Sequence, residues 1–269
     1  MIFKKDCRFG SPLIRSYVVM KKGVSYWLLY LALPVALLII WEGFDLAGLL
    51  KPYTMPAPMA IVNTTIEYKK NGKLFVNIGV SFVRVLEGFA IALATGFVIG
   101  IGASISKKFE TFTDLIIQIL RPIPPIAWIP LAILWFGIGQ PSKIFIIFLG
   151  AFFPIFLNTV EGVKSIDSKY FELAKVYETP KSKLIRQVII PGALPSIMTG
   201  IRLGVGNAWV CVVAAEMIGA TSGVGFMLSD GRSLSRPDIV ILGMLIVGIV
   251  GKIMDDILRL LHKKLITWI

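Results

Sequence analysis

The chain has 269 residues, of which 56% are hydrophobic and 16% are charged, and its mean hydropathy is +0.79. This composition excludes a soluble globular domain and predicts an all-α polytopic membrane protein. A formal net charge of +12 would suit a nucleic-acid-binding protein, but the Lys and Arg residues flank apolar runs, as topology signals do. We therefore expect membrane lipid around the chain and no nucleic acid partner.

The apolar runs predict six transmembrane helices, because a helix needs about 20 apolar residues to cross about 30 Å of hydrocarbon. The predicted spans are 23–41, 88–106, 122–142, 144–160, 191–217 and 239–258. The basic segment 1–22 before the first run resembles a secretory signal, but the run is too long and no small-residue cleavage pattern follows it. We predict a basic cytoplasmic tail, 1–22, and one transmembrane domain, 23–269.

The distribution of Lys and Arg places both termini in the cytoplasm. With this orientation the predicted cytoplasmic segments carry 17 Lys and Arg residues and the external segments carry 8, as the positive-inside rule requires. The predicted location is the cell membrane, crossed several times. Two external segments, 45–84 and 221–237, either bind another protein or only connect neighbouring spans.

Two predicted spans carry small residues at every fourth position. The positions are Gly88, Ala92, Gly96, Gly100 and Ser104 in the second span, and Gly192, Ser196, Gly200, Gly204 and Ala208 in the fifth. Small residues let helix backbones approach closely where lipid supplies no hydrophobic drive. We expect both helices to pack tightly inside the bundle.

The third span begins with the sequence RPIPPIAWIP at 121–130. Its prolines remove amide donors and clash with the preceding turn, which excludes an uninterrupted helix. Broken backbone at membrane depth is tolerated only against protein or a water-filled cavity. The segment, with Pro124, Pro125 and Trp128, either bends near the cytoplasmic surface or lines a pathway.

Three polar residues, Arg202, Asn207 and Glu216, lie within the predicted fifth span. Intramembrane charges often mark a solute path. Arg202 and Glu216 share a helix face but are separated by about 21 Å along the axis, too far to pair with each other. Each is expected to pair with another helix, to lie near water, or to contact a solute, and Asn207 is a similar buried polar candidate.

A charged stretch within the predicted cytoplasmic loop 161–190 interrupts the apolar pattern. Caps at 165–168 precede a short amphipathic helix, after which Thr179 is predicted to cap a second helix that has Pro180 at its first position. Two short helices joined by a corner either lie flat on the lipid surface or form a docking site for another protein.

Within this loop, Glu172-Leu-Ala174 followed by Val188-x-Ile190-Pro191 resembles the EAA loop of permease subunits from ABC importers, which in that family lies in a groove of the cytoplasmic ATPase. Other stretches look like the branch that handles nitrate, sulfonates and taurine, and the resemblance covers about residues 26–269. These stretches are SFVRVLEG (81–88), RPIPPIAWIPL (121–131), WFGIG (135–139), AAEM (214–217) and SGVG (222–225).

This resemblance implies a type I (MetI-like) importer permease fold, with loop 161–190 as the coupling loop. It also implies the partners: ABC ATPase subunits, a second permease subunit that makes a homodimer, and an extracytoplasmic solute-binding protein. The solute would be a small anion such as nitrate, a sulfonate or taurine. The implied ATPase-coupling residues are Tyr170, Phe171, Glu172, Leu173, Ala174, Tyr177, Glu178, Thr179 and Pro180.

One position departs from the family pattern, because Glu178 stands where glycine is usual. Glycine takes a positive φ at a helix end more readily than other residues. We therefore expect Thr179 and Pro180 to shape the corner instead.

The sequence contains no Gly-x-x-x-x-Gly-Lys-Ser/Thr phosphate loop and no metal-ligand spacing. We expect no enzyme activity and no cofactor in this chain, with ATP and Mg²⁺ used by the partner ATPase. The alternative function is a secondary transporter or channel independent of an ATPase. That class needs a coupling-ion site and often has repeated halves, and the sequence shows neither.

Overall fold

The structure is a computed structural model that describes residues 24–49, 51 and 53–266, with side chains from residue 30 onwards. All regular secondary structure in these residues is helical, which confirms the predicted all-α class. The chain divides into two compact units, Met1–Ala60 and Ile61–Ile269. The predicted tail 1–22 lies outside the described residues.

Ten helices organise the described part of the chain. In chain order they are α1 (Val24–Leu46), α2 (Pro58–Lys70), α3 (Lys73–Ile105), α4 (Lys107–Leu120), α5 (Ile129–Phe136), α6 (Gln140–Lys164), α7 (Ser168–Val176), α8 (Lys181–Glu216), α9 (Val224–Ser233) and α10 (Pro237–Leu265). A 3₁₀ turn, Pro125–Trp128, precedes α5, and α8 contains a π-helical turn at Ile185–Ile189.

Four described helices, α3, α6, α8 and α10, are long and apolar enough to cross a membrane. A fifth span is possible if α4 and the segment Pro125–Phe136, which are bent by 89° at their junction, count together. The prolines therefore interrupt the third span as predicted. Its predicted bounds, 122–142, are wrong: the helical pair begins at Lys107, and Gly137, with φ 74°, ends α5 before α6 starts.

Helix α6 lies at the centre of the larger unit, between α3 and α8. A Cβ atom added to Gly88 of α3 would lie 2.6 Å from Ile147 Cγ2, and one added to Gly200 of α8 would lie 2.7 Å from Asn158 Cβ. Both small-residue stripes therefore contact α6. The side chain of Ile155 between these contacts is fully buried, and the predicted close packing is confirmed.

Helix α8 continues without interruption from loop 161–190 into the bundle, although it contains prolines. Pro191 has no N–H, and its ring crowds the carbonyl of the residue four positions earlier. The helix widens just before it, so that the Ile190 N–H donates to the Ile185 carbonyl five residues back. One helix of 36 residues thus joins the loop to the far end of the bundle.

The α3–α6 contact gives a direct stability test. Gly88→Ala places a methyl group against Ile147 and is expected to lower the free energy of unfolding by about 1–3 kcal/mol, the usual cost of overpacking. Gly79→Ala is the matched control, because Gly79 is in the same helix and has no atom within 4 Å of an added Cβ. Thermal unfolding of both variants in detergent tests this, and equal melting temperatures would contradict it.

Candidate functional site

Helix α7 is capped by Asp167, whose Oδ1 accepts a hydrogen bond from the Lys169 N–H at 3.0 Å. On one side, Phe171 packs against an apolar cluster that includes the buried residues Val163, Ile189 and Ile197. These residues belong to the end of α6 and the beginning of α8. Phe171 therefore attaches α7 to the bundle.

The opposite side of α7 is apolar and exposed. Tyr170 and Leu173 are 56% and 53% exposed, and Val176 and Tyr177 are 77% and 78% exposed. Glu172 is also exposed. A groove of about 500 Å³ runs between this side of α7 and the start of α8. Six of the nine predicted coupling residues line this groove: Tyr170, Leu173, Ala174, Tyr177, Thr179 and Pro180. Phe171 instead faces the bundle.

The corner after α7 closes as a Schellman motif. The Thr179 N–H donates to the Ala174 carbonyl at 2.9 Å, and the Glu178 N–H donates to the Lys175 carbonyl at 3.1 Å. Glu178 has φ 48°, the left-handed conformation that this motif requires. We expected Thr179 and Pro180 to shape the corner in place of a residue with positive φ, and this expectation is wrong, because Glu178 itself takes that conformation.

The predicted start of the second helix is also shifted. Pro180, with φ −62° and ψ 142°, is the cap residue, and Lys181 is the first helical residue. Thr179 therefore does not cap the helix. Pro180 is extended and its carbonyl accepts the first helical hydrogen bond, from the Leu184 N–H at 3.1 Å, so α8 begins one residue later than predicted.

The proline-rich candidates lie in and beside the turn before α5. Pro124 precedes the 3₁₀ turn and Pro125 opens it. Trp128 packs against a cluster that includes Ile129 and Cys211, and its ring centroid is 6.5 Å from that of Phe145. Trp128 thus joins the break in the third span to α6 and α8.

The fifth-span candidates separate into different environments. Arg202 donates from Nε to Asp255 Oδ1 and from Nη2 to Asp255 Oδ2 at 3.1 Å, so it pairs across helices with α10. Asn207 was expected to be buried, but it lies on an exposed face of α8 beside Leu203 and Val210. The reason is that neither α6 nor α10 packs on that face.

Glu216 is the centre of a buried polar network at the other end of α8. Its carboxylate accepts from Arg84 Nη1 at 2.6 Å and from Ser81 Oγ at 2.7 Å and 2.9 Å. Arg84 also donates from Nε to Gln140 Oε1 at 2.6 Å and from Nη1 to the Ser222 carbonyl at 2.7 Å. Glu216 is 1% exposed and Arg84 5%, so this ion pair is fully desolvated.

The same network satisfies three consecutive N–H groups at the start of α9. Gly223 donates to Asn77 Oδ1 at 2.9 Å, Val224 to Ser81 Oγ at 2.8 Å, and Gly225 to Glu216 Oε2 at 2.9 Å. Side chains from α3 and α8 thus supply the caps that α9 lacks within its own sequence.

Both glycines of the SGVG stretch are required by this packing. A Cβ atom on Gly223, which has φ 121°, would collide with the Glu216 carboxylate, and one on Gly225 would collide with the Val213 carbonyl.

A second buried cation lies nearby. Lys143 is 5% exposed and donates to the Gly139 carbonyl at 3.0 Å and to the Gly219 carbonyl at 3.4 Å.

Sequence reasoning named Glu216 as a candidate but missed Ser81, Arg84 and Lys143. The signal was present, because the stretches 81–88, 214–217 and 222–225 each carry part of the family resemblance. The structure shows that all three meet at this one network. The charged residues of two of these stretches and the glycines of the third were the signal that the stretches contact each other.

These features define a polytopic helical membrane protein of the transport-permease class. Residues 92–267 match the family of binding-protein-dependent transport system inner membrane components. The chain belongs to this family and is a multi-pass inner-membrane protein of its nitrate, sulfonate and taurine branch.

Two relatives and one solved structure illustrate the match. The putative aliphatic sulfonates transport permease protein SsuC of Bacillus subtilis is 42% identical, with 90% of this chain and 88% of the relative covered. The taurine transport system permease protein TauC of Escherichia coli is 32% identical, with 86% of each covered. An inward-facing structure of the MetNI methionine ABC transporter shares the fold, with a TM-score of 0.52 and 19% identity, covering 70% of this chain and 93% of that chain.

The buried ion pair predicts a large effect of removing one partner. Arg84→Met leaves the Glu216 carboxylate buried without its cation, and the free energy of unfolding is expected to fall by about 3–5 kcal/mol. Lys164→Met is the matched control: Lys164 pairs with Glu110, but their side chains are 54% and 36% exposed, so we expect a loss of about 0–1 kcal/mol. Denaturant unfolding of both variants measures the difference, and similar losses would refute the assignment.

The Schellman corner predicts opposite effects of two substitutions at Glu178. Glu178→Gly is expected to keep or increase hydrogen-exchange protection of the Thr179 amide, because glycine takes positive φ without steric cost. Glu178→Val is expected to lower protection severalfold, because a β-branched residue is disfavoured in the left-handed conformation more strongly than the glutamate that already adopts it. Glu172→Val, the same change at a regular helical position, is the control. If both valine variants behave alike, the corner does not depend on residue 178.

Proposed function

We propose that the chain forms the translocation pathway of an ATP-driven importer for a small anion, with a sulfonate as the foremost class, delivered by an extracytoplasmic binding protein. The names of the relatives support the solute class. The observation that carries the mechanism is the exposed apolar side of α7, anchored through Phe171 and joined by a rigid corner to α8.

Docking of a protein on α7 is favoured over binding to lipid. Its exposed side combines Tyr170, Leu173 and Tyr177 with the carboxylate of Glu172, for which no hydrogen bond or ion pair with another described residue is found. Aromatic and aliphatic anchors beside a charge that a partner can pair are typical of protein interfaces.

The partner on this surface would be an ABC ATPase, which would bind ATP and Mg²⁺. The present chain contributes no phosphate loop of its own. Closure of the ATPases would move α7, and the corner would pass that movement to α8. Rocking of the bundle in this way gives alternating access.

A second copy of the chain would complete the pathway. The face of α8 that carries Leu203, Asn207 and Val210 is exposed in the single chain, and Gly206 has no atom within 4 Å of an added Cβ. A free amide facing lipid is unfavourable, whereas glycine next to it permits close approach of another helix. We place Asn207 at the homodimer interface, next to the solute route, with Pro124, Pro125 and Trp128 at the break in the third span.

The docking surface predicts loss of the ATPase on substitution. Leu173→Glu places a charge in the centre of the exposed apolar side, and co-purification of the cognate ATPase is expected to fall about tenfold or more, since interface anchors are each worth about 2 kcal/mol. Glu172→Lys is expected to act in the same direction by reversing the charge. ATPase recovered per permease, together with solute uptake in vesicles, is the measurement.

The matched control is Lys175→Gln. It gives the same change in charge as Leu173→Glu, but Lys175 lies about 200° around the helix from Leu173, so we expect normal recovery and uptake. Uptake that continues in the complete absence of an ATPase would overturn the proposal and support the secondary transporter or channel instead.

A further inference from the structure

A cavity of about 370 Å³ lies at the end of the bundle opposite α7, where α2, α3 and α9 meet. In the predicted topology this end faces outward. The polar residues that line it and enter the argument are Tyr68, Lys73, Asn77, Ser222 and Asp230.

Tyr68 is the buried group of this cavity. Its side chain is 8% exposed, and no hydrogen bond from its hydroxyl to another described residue is present. Burial, followed by the nearby Asp230 carboxylate, raises the pKa of Tyr68, so the phenol keeps its proton at neutral pH. The ring is buried while the hydroxyl stays open to the cavity, which is large enough for a ligand.

The two walls of the cavity have opposite charges. Lys73 is the first residue of α3, and Gly72 before it provides no side-chain cap, so the ammonium group and the free N–H groups of the helix start attract an anion. Asp230 supplies a carboxylate from α9. Neither side chain forms an ion pair or hydrogen bond with another described residue, so both charges are available.

The floor of the cavity is fixed by the buried network. Asn77 Oδ1 accepts from the Gly223 N–H, which leaves the Asn77 amide nitrogen free to donate. The Ser222 carbonyl is held by Arg84. Polar groups positioned by a second layer of hydrogen bonds in this way bind a ligand without first being ordered.

We propose that this cavity is a binding site for a small zwitterion. The anionic group would lie at the start of α3, with Lys73 and the Asn77 amide, and the ammonium group would pair with Asp230. The Tyr68 hydroxyl would donate to the anionic group. A simple anion would meet the Asp230 carboxylate, and a simple cation would meet Lys73, so each is disfavoured. This site goes beyond the proposed function and does not depend on an ATPase.

Calorimetry on the full chain in nanodiscs tests the site with three probes of similar size. β-Alanine carries both charges, propionate lacks the ammonium group, and propylamine lacks the carboxylate. β-Alanine is expected to bind about tenfold to a hundredfold more tightly than either, since hydrogen bonds to charged groups contribute about 1.5–3 kcal/mol. Asp230→Asn is expected to abolish the preference over propionate, and Lys73→Gln the preference over propylamine.

Tyr68→Phe keeps the ring and is expected to weaken β-alanine binding about threefold to tenfold through loss of one hydrogen bond. Lys70→Gln, an exposed lysine of α2 that does not line the cavity, is the control and is expected to bind normally. Melting temperatures equal to wild type show that the variants fold. Equal affinity for the three probes, or β-alanine binding unchanged in Asp230→Asn, would overturn the site, whatever the outcome of the ATPase experiment.

Discussion

The close approach of α3 and α8 to α6 is the constraint on which the rest of the structure depends. In lipid, helices gain no hydrophobic free energy by leaving the hydrocarbon for each other, so contact area and short distances must hold them together. Glycine at positions such as 88 and 200 removes the side chains that would keep the axes apart. This packing fixes the two ends of α8, and with them the Schellman corner and the buried network.

The buried network is possible because each charge has partners before it is removed from water. Glu216 receives hydrogen bonds from Arg84, Ser81 and the Gly225 N–H. Burying a charged group without such partners would destabilise the fold by several kcal/mol, which is the effective cost of removing an ion from water. The same contacts cap α9, so a single set of hydrogen bonds satisfies a helix start and an intramembrane ion pair together.

Local patterns in the sequence predicted most of the helices, but not the contacts between them. The small-residue stripes predicted close packing because period and composition are local properties. The bounds of the third span were wrong because proline spacing shows where a helix must break and not where its neighbours begin. The Arg84–Glu216 pair joins residues 132 positions apart, and no local pattern predicts which charges meet. The exposure of Asn207 in the single chain was not predicted, because helical period alone does not show which faces other helices cover.

The two ends of α8 are held in different ways, and this difference fits a role in transmitting movement. At the Glu216 end, a dense set of charged hydrogen bonds and glycine contacts fixes the helix to α3 and α9. In the middle, Arg202 ties it to Asp255 of α10. At the other end, α7 is attached mainly through apolar contacts of Phe171, which are non-directional and tolerate small rotations. A force on α7 therefore meets least resistance at the apolar contacts of Phe171, and the hydrogen-bonded corner passes the movement to α8, whose other end stays fixed to the bundle.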